Sequence, residues 1–177
     1  MDKRKEANLR VKKTITDSLF ELMQHNTLDT ITITDIIQKA HVARVSFYRN
    51  YTSKEDVLVT LVRDILDDYR DTADYDLSAY TSRENMERTF QYFYKYRSYV
   101  CNLYRSGYGT MLLEELNQFH ESIAGEMPAN SAEKYLLYLY MGAIYNTAIV
   151  WISEEHPAPL EDMIDTIYHR LAWLESG

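Results

Sequence analysis

Apolar side chains recur through this chain at the three- and four-residue spacing of amphipathic helices. No stretch shows the alternation with a period of two that a half-buried strand requires. Leu9, Ile15, Leu19, Phe20, Leu22 and Met23 mark a first helix over about residues 7–25, and Ile33, Ile36, Ile37 and Ala40 a short second one over about 33–40. A third, about 43–50, carries Phe47 as its inward anchor. A fourth, about 53–73, turns Val57, Leu58, Leu61, Val62, Ile65, Leu66 and Tyr69 inward. After a loop at 74–82 the pattern predicts a helix over about 83–105, with Gly107 and Gly109 as punctuation. Further helices follow over about 110–124 and 131–154, and after Pro157 and Pro159 a last one over 160–174. The expected fold is all-α, an N-terminal helix-turn-helix unit at 1–56 joined to a C-terminal helical body at 57–177.

One segment departs from amphipathic patterning. Tyr135 to Ile152 is uncharged over eighteen residues and apolar on every side, yet it holds four tyrosines, Asn146 and Thr147 and lacks a basic flank at its C-terminal end. A helix apolar all round must be buried all round. We expect it to pack on its own domain with one face and on a second copy with the other, so the predicted assembly is a homodimer formed by helices 131–154 and 160–174, with no membrane partner.

Charge changes the picture once it is divided along the chain. The formal net charge of −8 argues against general affinity for nucleic acid. Residues 1–56, however, hold ten Lys/Arg against eight Asp/Glu, and residues 57–177 nine against nineteen, which makes a basic tip on an acidic body. The single cysteine, Cys101, excludes an intrachain disulfide, and the charged N-terminus lacks a signal-type apolar core, so a cytoplasmic location is expected.

The candidate chemistry lies in Thr32 to Lys54. Thr32 can cap the second helix, with Asp35 completing a capping box, and His41 sits where the chain must reverse. The next helix presents Arg44, Ser46, Tyr48, Arg49 and Asn50. Arg offers a planar fork for guanine, Asn can pair with adenine, and hydroxyls can bond phosphate oxygens. Thr52 or Ser53 can cap the fourth helix, whose first turn carries Lys54, so open N–H groups and an ammonium would face a phosphate. The Lys3-Arg4-Lys5 run lies close enough to be either a solvated tail or a further phosphate contact.

From about residue 8 to residue 66 the chain resembles the DNA-binding domain of the TetR/AcrR family. The matching features are Thr32 before the second helix, Phe47-Tyr48-Arg49, and Tyr51-Thr-Ser-Lys-Glu-Asp-Val-Leu58, close to that family's Phe-x-Ser-Lys-Glu-x-Leu-Leu. The resemblance implies that Tyr48 and Lys54 hold phosphates and that Arg44, Val45, Ser46 and Asn50 lie at or near base edges, and the expected DNA-binding set also includes Thr32, Thr34 and Arg49. Three positions depart from the family pattern: His41 for Gly in the turn, Ala43 for a capping Ser or Thr, and Val45 for a small residue. His tolerates a left-handed backbone, so the turn is expected to survive, while an Ala cap costs about 1 kcal/mol. The C-terminal half more loosely resembles the body of one branch of that family, some of whose members are similar to regulators of dihydroxyacetone kinase genes.

Fourteen of the sixteen tyrosines follow residue 57. For any one of them core packing is the default reading, and Tyr96, Tyr99, Met111, Tyr138 and Tyr145 are the candidates for a small-molecule effector site. Glu154-Glu155-His156, Glu114-Glu115 with His120-Glu121, and His169 lack the paired spacing of metal ligands and read as solvated helix surface. No cofactor, metal or catalytic constellation is implied, so an enzyme is not expected. The leading reading is a homodimeric regulator, a repressor, whose N-terminal helix-turn-helix DNA-binding domain (1–56) binds a palindromic operator in double-stranded DNA and whose C-terminal helical dimerisation and effector domain (57–177) is open to an effector. The rival is a helical interaction protein of the same fold that has lost specific DNA reading, with Ala43 and Val45 marking the loss.

Overall fold

Residues 3–171, apart from 73–75, 78, 126 and 129, are described by a computed structural model of the chain, and among them every regular element is a helix. α1 (Lys3–Met23) starts four residues earlier than the apolar pattern indicates, because the Lys-Arg-Lys-Glu-Ala run is made of good helix formers. Leu9, expected inside, is 48% exposed, so the buried face of α1 begins at Ile15. Beneath it pack α2 (Ile33–Lys39) and α3 (Arg44–Asn50), with Leu19, Ile36 and Phe47 fully buried between the three helices. α4 (Lys54–Asp71) contributes Val57 and Leu58 to the same core and then continues into the body.

The body holds α5 (Arg83–Lys95), α6 (Arg97–Leu103), α7 (Gly109–Ala124), α8 (Ala132–Ser153) and α9 (Leu160–Leu171). The single helix expected over 83–105 is broken at Tyr96, whose backbone leaves helical values at φ −105°, ψ 18°. No Gly or Pro marks the break. Its cause is tertiary: the end of α5 is tied to α4 through Tyr92, Lys95 and Tyr96 on Asp68, while α6 is tied to α1 through Tyr99. The passage from α6 to α7 is a wide turn over Tyr104–Tyr108 in which Gly107 takes φ 88°, a left-handed value that suits glycine. The loop expected at 74–82 and the final turn expected to reach Leu174 lie partly outside the described residues.

α8 is long and apolar enough to cross a bilayer by length and composition alone. Here one side of it is built into the core: Leu137, Met141, Ile144, Ala148 and Ile152 are buried against α5, α6 and α7. The Trp151 indole N–H donates to the Ala158 carbonyl at 2.8 Å and fixes the turn into α9.

Candidate nucleic-acid interface

α2 is fixed at its start by two short polar side chains and at its end, where the chain turns into α3, by backbone geometry. Thr32 accepts a hydrogen bond from the Asp35 amide at 3.1 Å, and Asp35 Oδ2 accepts from the Thr32 amide at 2.8 Å, a complete capping box. The Thr32 hydroxyl, which also donates to Asp35 Oδ2 at 2.7 Å, and then the Thr32 amide hold the Asp35 carboxyl below its ordinary range. At the other end His41 takes φ 52°, its amide donates to Gln38 O, and the Val42 amide donates to Ile37 O at 3.1 Å. That bond pair is the usual glycine-type helix stop, here carried by histidine. Ala43 starts α3 with no side-chain cap, as its methyl group dictates.

Phe47 roots α3 in the core with Tyr48 and Tyr51 against its ring at 5.5 and 5.7 Å. The helix then presents Arg44, Val45 (64% exposed), Tyr48 (48% exposed) and Arg49 to solvent, and Thr34 of α2 is exposed as well. The Arg44 guanidinium lies 5.5 Å from the Tyr48 ring centre and 3.4 Å from its hydroxyl, so the two side chains form one exposed unit. Ser46 is half-buried.

Two expected contact residues have other partners. The Asn50 amide donates to Ser46 O at 2.9 Å and accepts from Asn8 Nδ2 at 2.9 Å. Both ends of the Asn50 amide are thus engaged within the chain and tie α3 to α1, with one donor and one acceptor position left over. Lys54 places its ammonium 2.6, 3.2 and 2.8 Å from the carbonyls of Leu28, Asp29 and Ile31. An ammonium has three donors, and these three are engaged. Ser53, not Thr52, caps α4 by accepting from the Asp56 amide.

The basic tip is also thinner than its composition suggests. Lys12, Lys13 and Lys39 are paired at 2.7 Å with Asp64, Asp17 and Glu21. A groove bounded by Arg4, Lys5, Asn8, Val11 and Arg49 continues the exposed face of α3 onto the start of α1. Asn8 was not marked by sequence reasoning, and a lone Asn in a helical stretch gives no such signal.

Among solved structures, the chain is similar to a TetR transcriptional regulator from Streptococcus agalactiae, with a TM-score of 0.63 and 20% identity over 93% of this chain and 94% of that one. The chain has the fold of the TetR transcriptional regulators. The dihydroxyacetone kinase operon activator DhaS is similar at a TM-score of 0.60 and 17% identity, over 93% of this chain and 95% of that one. No family model and no curated protein matches the sequence.

Within this TetR-type body, α4, α5, α6 and α7 enclose a cavity of about 60 Å³ walled by Leu61, Leu66, Tyr69, Phe93, Leu116 and their neighbours. Of the five candidate effector residues, Tyr96 and Tyr99 line it. The other three do not. Tyr145 packs on Phe93 and donates to Gly109 O at 2.9 Å, and burial pushes its phenol up to about 12. Tyr138 donates to Glu121 on the surface, and Met111 is half-buried away from the cavity. Glu115 and His120, read in sequence as solvated, are buried. Glu115 receives two Arg63 donors at 2.8 and 2.9 Å, and His120 lines the cavity. Among the described residues no three of His, Cys, Asp or Glu gather as a metal site.

Proposed function

We propose that the protein is a sequence-specific, cytoplasmic transcriptional regulator of TetR type. In this reading residues 1–56 read duplex DNA and residues 57–177 form the dimerising and effector-binding body. The observation that carries it is the exposed Arg44-Val45-Tyr48-Arg49 face on a short helix rooted by Phe47, in a chain whose whole fold is that of TetR regulators. Arg44 and Val45 meet base edges, Tyr48 and Arg49 meet phosphates, and Thr32 and Thr34 flank them at the start of α2.

One recognition helix spans too few base pairs for specificity, so two copies on a palindromic site are required. The body supplies a surface for this. Leu136 and Leu139 (46 and 62% exposed), Ala143, Asn146 and Val150 (61% exposed) recur at alternating three- and four-residue steps along the outer side of α8. An exposed apolar stripe of that length is an interface signature, and a second α8 with α9 is its proposed occupant. Repression is the proposed sign, by occupation of the operator. A similar structure bears the name of an operon activator, so a reporter gene placed behind the selected site decides the sign.

Selection of bound sequences from random duplex DNA, repeated over a salt series, tests the central reading. A palindromic consensus with two half-sites is the expected result. Salt-sensitive binding with no consensus, or no binding, overturns it.

A further inference from the structure

The wall of the body cavity offers acceptors and no free side-chain donor. Tyr92 and Tyr96 donate to Asp68 Oδ2 at 3.0 and 3.4 Å, and Tyr99 donates to Asp17. Thr89 donates to the Asn85 carbonyl at 2.8 Å, which makes Tyr69 the donor in its 3.1 Å contact with Thr89. The rings therefore face the cavity with every hydroxyl proton already engaged.

His120 has the opposite character. It is 7% exposed, and burial holds its imidazole below the ordinary 6.5, so it is neutral at pH 7. Its Nδ1 lies 2.9 Å from Leu116 O. A carbonyl only accepts, so Nδ1 carries the proton and Nε2 is left with a bare lone pair.

Beside the main cavity lies a second chamber of about 10 Å³, and Tyr69, Thr89 and His120 border both. Asn85 lines the smaller one. Its Nδ2 donates to the carbonyls of Asp76 and Ala79 at 3.0 and 2.8 Å, which fixes the amide orientation. Its Oδ1, on a residue only 3% exposed, has no hydrogen-bond partner. A buried acceptor left unmade costs about 1–3 kcal/mol, and such an atom calls for a partner.

The two chambers differ in kind. The larger is apolar and several times the ~10–15 Å³ that one water needs, while the smaller has the size of one polar group. We infer that these two adjacent chambers together bind a compact, uncharged molecule, apolar over most of its surface, whose single hydroxyl or N–H donor is received by His120 Nε2, with Asn85 Oδ1 the other bare acceptor on the wall of the smaller chamber. No Lys, Arg, Asp or Glu borders either chamber, so neither an anion nor a cation finds a partner there. The inference deepens the effector role proposed above and rests on that reading for its regulatory consequence.

The test uses the full chain and three probes of similar size: phenol, toluene and benzoate. Thermal shift and titration calorimetry should show saturable stabilisation by phenol, binding about tenfold weaker for toluene, which lacks the donor, and none for benzoate. His120→Phe should abolish the preference for phenol over toluene while still admitting toluene. His120→Gln, which keeps an acceptor, should retain part of it. Equal binding of phenol and toluene to the wild-type chain, tighter binding of benzoate, or no binding by any probe overturns the inference without recourse to a variant. None of these measurements involves DNA. A failed DNA selection would sink the regulator reading and leave the ligand result standing.

Discussion

The phenol of Tyr99, whose ring is part of the cavity wall, donates its proton to Asp17 of α1. The same ring packs edge-on against Phe20 of α1 at 4.9 Å. A cavity residue of the body is thus bonded directly to the helix that packs over α2 and α3, and α1 is bonded to α3 through Asn8 and Asn50. Tyr99→Phe keeps the ring and removes the hydrogen bond. The expected result is a stability loss of about 1 kcal/mol, unchanged phenol binding, and a smaller effect of phenol on DNA affinity than in the wild-type chain. Paired measurements of melting and of DNA affinity with and without phenol check this. An undiminished phenol effect would show that coupling runs through α4 alone.

Lys54 gives a second contrast. A lysine that neutralises a phosphate lowers the salt slope of binding by about one unit when removed, whereas a lysine that holds three carbonyls acts by keeping the α2 region seated on α4. Lys54→Met is expected to destabilise the chain by about 1–3 kcal/mol and to weaken binding to all DNA sequences, with the salt slope unchanged. A slope reduced by one unit would mean that Lys54 exchanges its carbonyl partners for phosphate on binding.

The α2–α3 unit is legible in the sequence because its signals are local. Thr32 with Asp35, His41 at a left-handed turn, Ala43 without a cap and Phe47 as an inward anchor depend on neighbours within a few residues, and each sits as the sequence indicated. The fates of Asn50 and Lys54 depend on Asn8 and on carbonyls 23 to 26 residues away, which spacing does not reveal. The same limit applies in the body. The break at Tyr96 is set by partners on α4 and α1, and of the five effector candidates only Tyr96 at that break and Tyr99 just after it reach the cavity. His120 reads as solvated in sequence because it lacks the paired spacing of a metal ligand; a helical register that puts it beside Leu116 is the available clue.

The two sides of α8 predict opposite outcomes for one kind of substitution. Ile149, within the segment expected to pack on a second copy, is 5% exposed and belongs to the intramolecular core, while Ala143 and Leu139 lie on the outer stripe. Ile149→Asp should cost at least ~3 kcal/mol and unfold the chain, because it buries an unpaired charge. Ala143→Asp and Leu139→Glu should leave helicity and melting of the isolated chain nearly unchanged and weaken self-association at least tenfold. Light scattering together with circular dichroism separates the two. A wild-type chain that is monomeric at micromolar concentration would refute the interface.

His120 also gives the fold a pH dependence whose sign is fixed. In the unfolded chain its imidazole titrates near 6.5, and in the folded chain burial lowers that value, opposed only in part by the bond to Leu116. Below about pH 6.5 the unfolded state therefore binds more protons than the folded one, and stability must fall as the pH falls. No acidic side chain borders the two chambers that could stabilise an imidazolium. Asp56 and Asp68, held low by the Thr52 amide and by Lys95 respectively, add their own losses only at more acidic pH, as their folded carboxyls become protonated. Denaturant titrations of the wild-type chain and of His120→Gln across mildly acidic pH should therefore converge: the wild-type chain loses stability as pH drops below about 6.5, and the variant follows a flatter curve down to the carboxylate range. Parallel curves would mean that His120 takes up its proton in the folded chain as readily as in the unfolded one, and the neutral Nδ1-protonated form assigned to it would be wrong.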